Sequence, residues 1–117
     1  MAIFARWRPI ASLPERRGRD PRPGVYEVAD ERKNVVYVGQ SAKDVPTRIR
    51  QHLARGGCVA QHAAYWRMEA SRVPQAHEAE LLASHRARHG GLPSCNEATP
   101  RRRDAGRRWA ERSRGDG

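Results

Sequence analysis

The chain has 117 residues, 38% of them apolar, and a formal net charge of +10 from 23 basic and 13 acidic side chains. This length supports one domain with one modest core, and no stretch is apolar enough for a signal peptide or a membrane span, so we expect a cytoplasmic protein without membrane contact. Every basic residue except Lys33 and Lys43 is an arginine, whose planar fork matches phosphate geometry, so the charge favours a nucleic-acid partner.

The first 23 residues form a leader that we expect to pack its aromatic side chains against the domain. Residues 24–29 read as a strand, and Val35-Val36-Tyr37-Val38-Gly39 is the strongest strand signal in the chain, being β-branched or aromatic up to its final glycine. The polar residues 30–34 between them supply a turn. The simplest topology is therefore an antiparallel hairpin.

A helix is predicted after the hairpin. Asp44 is a suitable N-cap, Pro46 is tolerated in the first turn, and Gly56-Gly57 ends the helix near Arg55. Arg48 and His52 are four residues apart and therefore lie on one helix face.

The second half of the chain is predicted to contain one strand and one helix. Residues 63–70 read as the strand, residues 74–89 as the helix, and residues 92–96 as a loop. The segment 99–117 holds seven arginines and three acids and reads as a solvated basic tail. We therefore predict an α+β domain over 24–98, with a small three-stranded antiparallel sheet flanked by helices in the order β-β-α-β-α.

Two tripeptides stand out in the predicted hairpin, Gly24-Val25-Tyr26 and Tyr37-Val38-Gly39. Both phenols can point to one face of the sheet if the strands pair. The pattern resembles the GIY-YIG nuclease family, with valine in place of isoleucine in both tripeptides. That exchange keeps a β-branched aliphatic residue, so the strand preference is unchanged.

The resemblance implies roles for residues of the hairpin and the first helix. Tyr26 would be the general base or would orient the attacking water, and Tyr37 would assist the proton path or contact phosphate. Gly39 would let the backbone approach the substrate. Arg48 would neutralise phosphate charge, and His52 follows one turn later, where many family members carry a histidine or tyrosine.

The resemblance also assigns a metal ligand and further contacts. Glu78 matches the family's metal-binding glutamate, with Glu80 as the second choice, and Mg²⁺ or Mn²⁺ would be the ion. Asn96 would help hold the elements of the site together, although the interval from Glu78 to Asn96 is longer than the family often shows. We also count Lys43 and Arg50 among the candidates for substrate contact. A phenol titrates near pH 10 in model compounds, so Tyr26 would need a lowered pKa to act as a base.

Together these features predict a metal-dependent endonuclease that contacts the DNA backbone through arginine. We expect the chain to lack room for a separate reading domain, so its preference would come from DNA shape or a partner protein. Alternatives are a binding module that has the fold without cleavage, and a small basic RNA-binding protein. Cys58 and Cys95 do not make a disulfide framework, which indicates a reducing compartment, and Cys58 and His62 do not form a usual zinc-ligand pair.

Overall fold

The computed structural model describes residues 3–15 and 18–98, so the predicted basic tail lies outside the described residues. The strands are β1 (Arg8–Pro9), β2 (Gly24–Ala29), β3 (Val35–Ser41) and β4 (Tyr65–Ala70). The helices are α1 (Val45–Arg55), α2 (Cys58–His62), α3 (Pro74–His89) and α4 (Ser94–Ala98), and a single 3₁₀ turn spans Ile10–Ser12.

The strands form one antiparallel sheet in the order β1-β4-β2-β3. The predicted α+β class is confirmed, but the predicted number of three strands is wrong. The fourth strand, β1, comes from the leader and pairs Arg8 with Trp66 and Pro9 with Tyr65. A two-residue strand is too short to show an alternating pattern, so sequence reasoning could not predict it.

The predicted hairpin of β2 and β3 is confirmed. Asp30 stabilises its turn, because the Oδ1 atom accepts hydrogen bonds from the backbone N–H groups of Arg32 and Asn34, each at 2.9 Å. Lys33 takes the left-handed conformation there, with φ at 65°. The pairing sets Tyr26 opposite Gly39 and Val28 opposite Tyr37.

Strand β2 is buried along its whole length because helices cover both faces of the sheet. This double burial explains why its apolar residues do not alternate cleanly. One core contains Tyr26, Val28, Val36, Val45, Ile49, Val59, Trp66 and Cys95. The other, formed with α3 on the opposite face, contains Ile3, Val25, Val38, Leu81 and Leu82.

Helix α1 begins as its sequence predicts. The side chain of Asp44 accepts hydrogen bonds from the backbone N–H and the hydroxyl of Thr47, at 3.1 and 2.6 Å, and from the backbone N–H of Arg22 at 2.9 Å. Burial of Asp44 raises the pKa of its carboxyl, but these hydrogen bonds outweigh burial and leave the pKa below its ordinary value. The same side chain therefore starts the helix and fixes the segment before β2.

Three local features differ from the sequence-based expectations. Helix α2 was not expected, and α4 replaces part of the predicted loop 92–96. In the leader, Trp7 packs under the Arg67 guanidinium, 4.0 Å from the ring centroid, but Phe4 is 89% exposed instead of packing on the domain. Short helices depend on tertiary contacts more than on local propensity, which hides them from a sequence pattern.

A disulfide joins Cys58, the first residue of α2, to Cys95 in α4. The sequence interpretation found no disulfide framework and indicated a reducing compartment, whereas the structure bonds the two cysteines to each other, so both sulfurs are unavailable to a metal. The two residues are 37 positions apart, so only the folded chain shows that they meet. Within the described residues, no helix is both long and apolar enough to cross a lipid bilayer.

Candidate active site

The two tyrosines of the tripeptides share one face of the sheet. In the β2–β3 register they are diagonal neighbours, and their ring centroids are 6.1 Å apart. Met68 of β4 lies directly opposite Tyr26 on its other side. The side chain of Tyr26 is only 1% exposed, so its ring belongs to the core while it takes part in the site.

Gly39 provides the space that the Tyr26 ring occupies. A Cβ atom at position 39 would lie 2.4 Å from Cζ and 2.5 Å from the hydroxyl of Tyr26, and 2.8 Å from Cε2 of Tyr37. These distances are far below van der Waals contact. The sequence interpretation expected Gly39 to let the backbone approach the substrate; the structure shows in addition that the Tyr26 ring fills the space a side chain at position 39 would take.

Helix α1 brings His52 against both rings. Its imidazole centroid lies 4.9 Å from that of Tyr37 and 6.4 Å from that of Tyr26, edge-on in both cases. Among the described residues, none provides a hydrogen-bond partner for the buried Nε2 atom of His52. Burial, together with the positive charges of Arg48 and Arg55, lowers the pKa of His52 to about 4, so the ring is neutral at pH 7.

The Tyr26 phenol is the electrostatic centre of this cluster. Burial raises its pKa well above the ordinary value, and the neighbouring Tyr37 and the negative charge of Glu78 raise it further. The charge of Arg48 and its hydrogen bond to the phenol act in the opposite direction without cancelling the rise. The pKa of Tyr26 is therefore not lowered, as a general base would require. The phenol of Tyr26 stays protonated at neutral pH.

Glu78 and Glu80 differ in their surroundings although they are two residues apart on α3. Glu80 is exposed, whereas Glu78 is half-buried and its charge acts on Tyr26. No group of three or more His, Cys, Asp or Glu side chains suited to a metal occurs within the part of the chain that the structure describes. One carboxylate still fits a Mg²⁺ or Mn²⁺ site, because such ions keep several waters and take further ligands from substrate phosphate.

The remaining candidate residues have distinct positions. Asn96 holds the outer edge of β3: its Oδ1 atom accepts from the N–H of Val38 at 2.8 Å, and its Nδ2 atom donates to the Val38 carbonyl at 2.9 Å. The guanidinium of Arg50 donates to the Pro14 carbonyl and to the Thr47 hydroxyl, so it ties the leader to α1. Lys43 is exposed just before α1.

Two features of the site were missed by sequence reasoning. Gln40, directly after Gly39, has a buried Oε1 atom with no hydrogen-bond partner among the described residues. His77, directly before Glu78, is buried, and its Nε2 atom lies 3.0 Å from Oε2 of Glu69 but outside hydrogen-bonding geometry. Their adjacency to Gly39 and Glu78 was the only signal in the sequence.

Comparison with protein families supports the resemblance. The family described as the GIY-YIG catalytic domain matches residues 22–80, about half of the chain. The matched segment includes Tyr26, Tyr37, Arg48, His52 and Glu78, and it ends before Asn96. Among curated proteins, none matches the sequence.

Proposed function

The chain belongs to the GIY-YIG catalytic-domain family, and from this premise we propose that it is a metal-dependent endonuclease that hydrolyses phosphodiester bonds in DNA. The observation that carries the proposal is the convergence of four side chains from three elements, β2, β3 and α1. Tyr26 and Tyr37 share one sheet face, His52 packs against both rings, and the positive charge of Arg48 acts on the Tyr26 phenol. Such a set can bind a phosphate, position a water and accept a proton.

The protonation states suggest how these groups divide the work. Tyr26 keeps its proton, so its hydroxyl positions the attacking water instead of deprotonating it. His52 is neutral, and its buried Nε2 atom has no hydrogen-bond partner within the described part of the chain, which suits a proton acceptor. A bound phosphodiester anion would offset the positive charges of Arg48 and Arg55 and so raise the pKa of His52 towards a useful value.

Glu78 would hold the metal ion, with water and substrate oxygens completing its ligands. When bound, a divalent cation would polarise the phosphoryl group and stabilise the leaving oxygen. The carboxylate of Glu78 already acts on the Tyr26 phenol through its charge, so the ion would lie beside the reacting groups.

Nicking of supercoiled plasmid with Mg²⁺ or Mn²⁺ tests the proposal. We expect the wild-type protein to nick, and Glu78→Ala to lower the rate by at least about 100-fold, a typical cost of removing transition-state charge stabilisation. Glu80→Ala is the matched control, because it removes the same charge from the exposed face of the same helix. Equal nicking by both variants would remove Glu78 from the mechanism.

The second candidate function is binding of nucleic acid without cleavage. The near-complete burial of Tyr26 and its raised pKa favour this reading, since both limit the phenol's part in chemistry. It predicts a mobility shift of DNA with no nicking under any metal tested. Nicking that depends on Glu78 would exclude it.

A further inference from the structure

An open groove of about 420 Å³ lies next to the site, on the side of β4. Met68 forms part of its lining and is the residue directly opposite Tyr26, while Ala70, also in the lining, is opposite Gly24. These two pairs are two residues apart along the strand, a distance of roughly 7 Å. The groove therefore begins within about one nucleotide step of the Tyr26 ring. It is therefore placed to receive the part of a substrate that flanks the reacting phosphate.

The walls of the groove are fixed by hydrogen bonds. The backbone N–H of Arg22 donates to Asp44, and the Arg22 carbonyl accepts from Val45 at 2.9 Å. Opposite, the N–H of Ser71 donates to the carbonyl of Pro23 at 3.3 Å. Pro21 and Pro23 restrict the backbone on either side of Arg22. The groove is thus a preformed feature with little conformational entropy to lose on binding.

Its chemistry combines an apolar lining with two cations. Pro21, Pro23, Met68 and Ala70 supply apolar surface, and the arginines Arg22 and Arg72 are both exposed. An arginine fork matches a phosphate, but a DNA backbone alone would leave the apolar surface uncovered. A nucleobase with its own phosphate satisfies both, because bases stack on apolar and guanidinium surfaces.

We propose that this groove binds an unpaired nucleotide of the DNA substrate, so that the enzyme prefers DNA in which a base beside the scissile bond is displaced or single-stranded. A base inside a duplex is stacked between its neighbours and cannot offer a face to the groove. The reference to a scissile bond rests on the proposed nuclease function, whereas the binding preference does not.

Fluorescence anisotropy in EDTA tests the preference without cleavage. Three labelled DNAs with equal numbers of phosphates are compared: a duplex, a duplex with one displaced nucleotide, and the same displaced nucleotide without its base. We expect the displaced base to bind about tenfold more tightly than the duplex, in line with the cost of removing one stacked base. Equal affinity for the displaced nucleotide with and without its base would overturn the inference.

Matched variants link the preference to the groove. Ala70→Glu fills the groove and adds a repelling charge, whereas Ala87→Glu makes the same change at an exposed position on α3. We expect only the first to abolish the preference. In the same way, Arg72→Ala should weaken binding of the displaced nucleotide more than Arg88→Ala. A preference that survives Ala70→Glu would show that the base binds elsewhere and would overturn the inference.

Plasmid nicking separates this inference from the proposed function. Nicking by a wild-type protein with no preference for the displaced base would contradict the groove and leave the nuclease intact. A base-dependent preference that Ala70→Glu removes, in a protein that never nicks, would support the groove and contradict the nuclease. Both outcomes use the full chain with its disulfide formed.

Discussion

Gly39 and Tyr26 form a cross-strand pair. Because Gly39 has no side chain, the ring of Tyr26 can lie over the strand at that position. The ring is nearly fully buried by this arrangement, and the charge of Arg48 acts on its hydroxyl. The glycine is therefore required by the position of the phenol, without any unusual backbone conformation.

Gly39→Ala tests this relation. A Cβ atom at 2.4 Å from the Tyr26 ring forces both tyrosines to move, so we expect a nicking rate at least tenfold lower and a loss of about 1–3 kcal/mol of stability, the usual range for overpacking. Gly18→Ala is the control, because no atom of the described residues lies within 4 Å of the Cβ that this substitution would add. Rates and urea-unfolding curves would be compared, and an unchanged nicking rate in Gly39→Ala would contradict the role of the pair.

His52 predicts a specific dependence of stability on pH. Its pKa is about 4 when folded and about 6.5 in an unfolded chain, so below pH 6.5 the unfolded state binds a proton that the folded state does not. The protein should therefore lose stability as the pH falls from 6.5 to 4, by roughly 3 kcal/mol from this residue alone. His52→Phe should remove that part of the slope in urea unfolding measured between pH 4 and 7. Identical slopes in the variant and the wild type would show that His52 is not held neutral.

For single residues, the sequence predicted which side chains of the site lie together better than it predicted their protonation. The hairpin was enough to place Tyr26 and Tyr37 on one face, because strand alternation is local. The raised pKa of Tyr26 arises from burial by α1 and the surrounding core. A tripeptide sequence contains no information about that burial. The pairing of Gly39 with the ring was hidden for the same reason.

Among the elements, α4 is the one that joins the core of the molecule to the edge of the sheet. Asn96 satisfies both backbone groups of Val38 on the open side of β3, between Tyr37 and Gly39. The preceding residue, Cys95, is fully buried and bonded to Cys58, just after the end of α1. The disulfide therefore fixes the helix that holds β3.

Removal of this disulfide should lower stability and loosen β3. We expect the double variant Cys58→Ser, Cys95→Ser to lose about 2–4 kcal/mol in urea unfolding, the usual contribution of a disulfide. Hydrogen exchange at the Val38 amide should also accelerate more than exchange at amides within α3, because Val38 depends on Asn96. Treatment of the wild type with a dithiol reductant should give the same pattern. An unchanged ratio of the two exchange rates would mean that α4 holds its place without the bond.

The predictability of each element followed its length and the strength of its terminal signals. α1 and α3 were placed correctly because a proline in the first turn and a terminal glycine mark each of them in the sequence, and α1 also has the N-cap Asp44. β1, α2 and α4 have two, five and five residues, too few for a period to appear. Their positions depend on distant partners such as β4 and Cys58, which only the folded chain brings together.

For the molecule as a whole, the net charge of +10 is expected to favour DNA binding, and the number of phosphates contacted should set how that binding responds to salt. Each phosphate contact releases counterions, so affinity for duplex DNA falls with a slope of about −0.9 per contact on a log–log plot. If Arg22, Lys43, Arg48 and Arg72 each contact one phosphate, the slope is roughly −3.6 and affinity falls roughly 100-fold between 50 and 200 mM salt.

The two lysines of the chain allow the effect of local phosphate contacts to be separated from the effect of overall charge. Lys43 is exposed beside the start of α1, whereas Lys33 lies in the hairpin turn, at the far end of β2 from Gly24 and over the ring of Tyr65. Lys43→Asn should make the slope shallower by about 0.9, while Lys33→Asn removes the same charge and should leave the slope unchanged. Asparagine suits the left-handed backbone at position 33, so the control should fold normally. Equal changes in slope for both variants would mean that DNA binding responds to the overall charge of the protein. The basic residues around the cluster of Tyr26, Tyr37, Arg48 and His52 would then not define the path of the DNA over the surface.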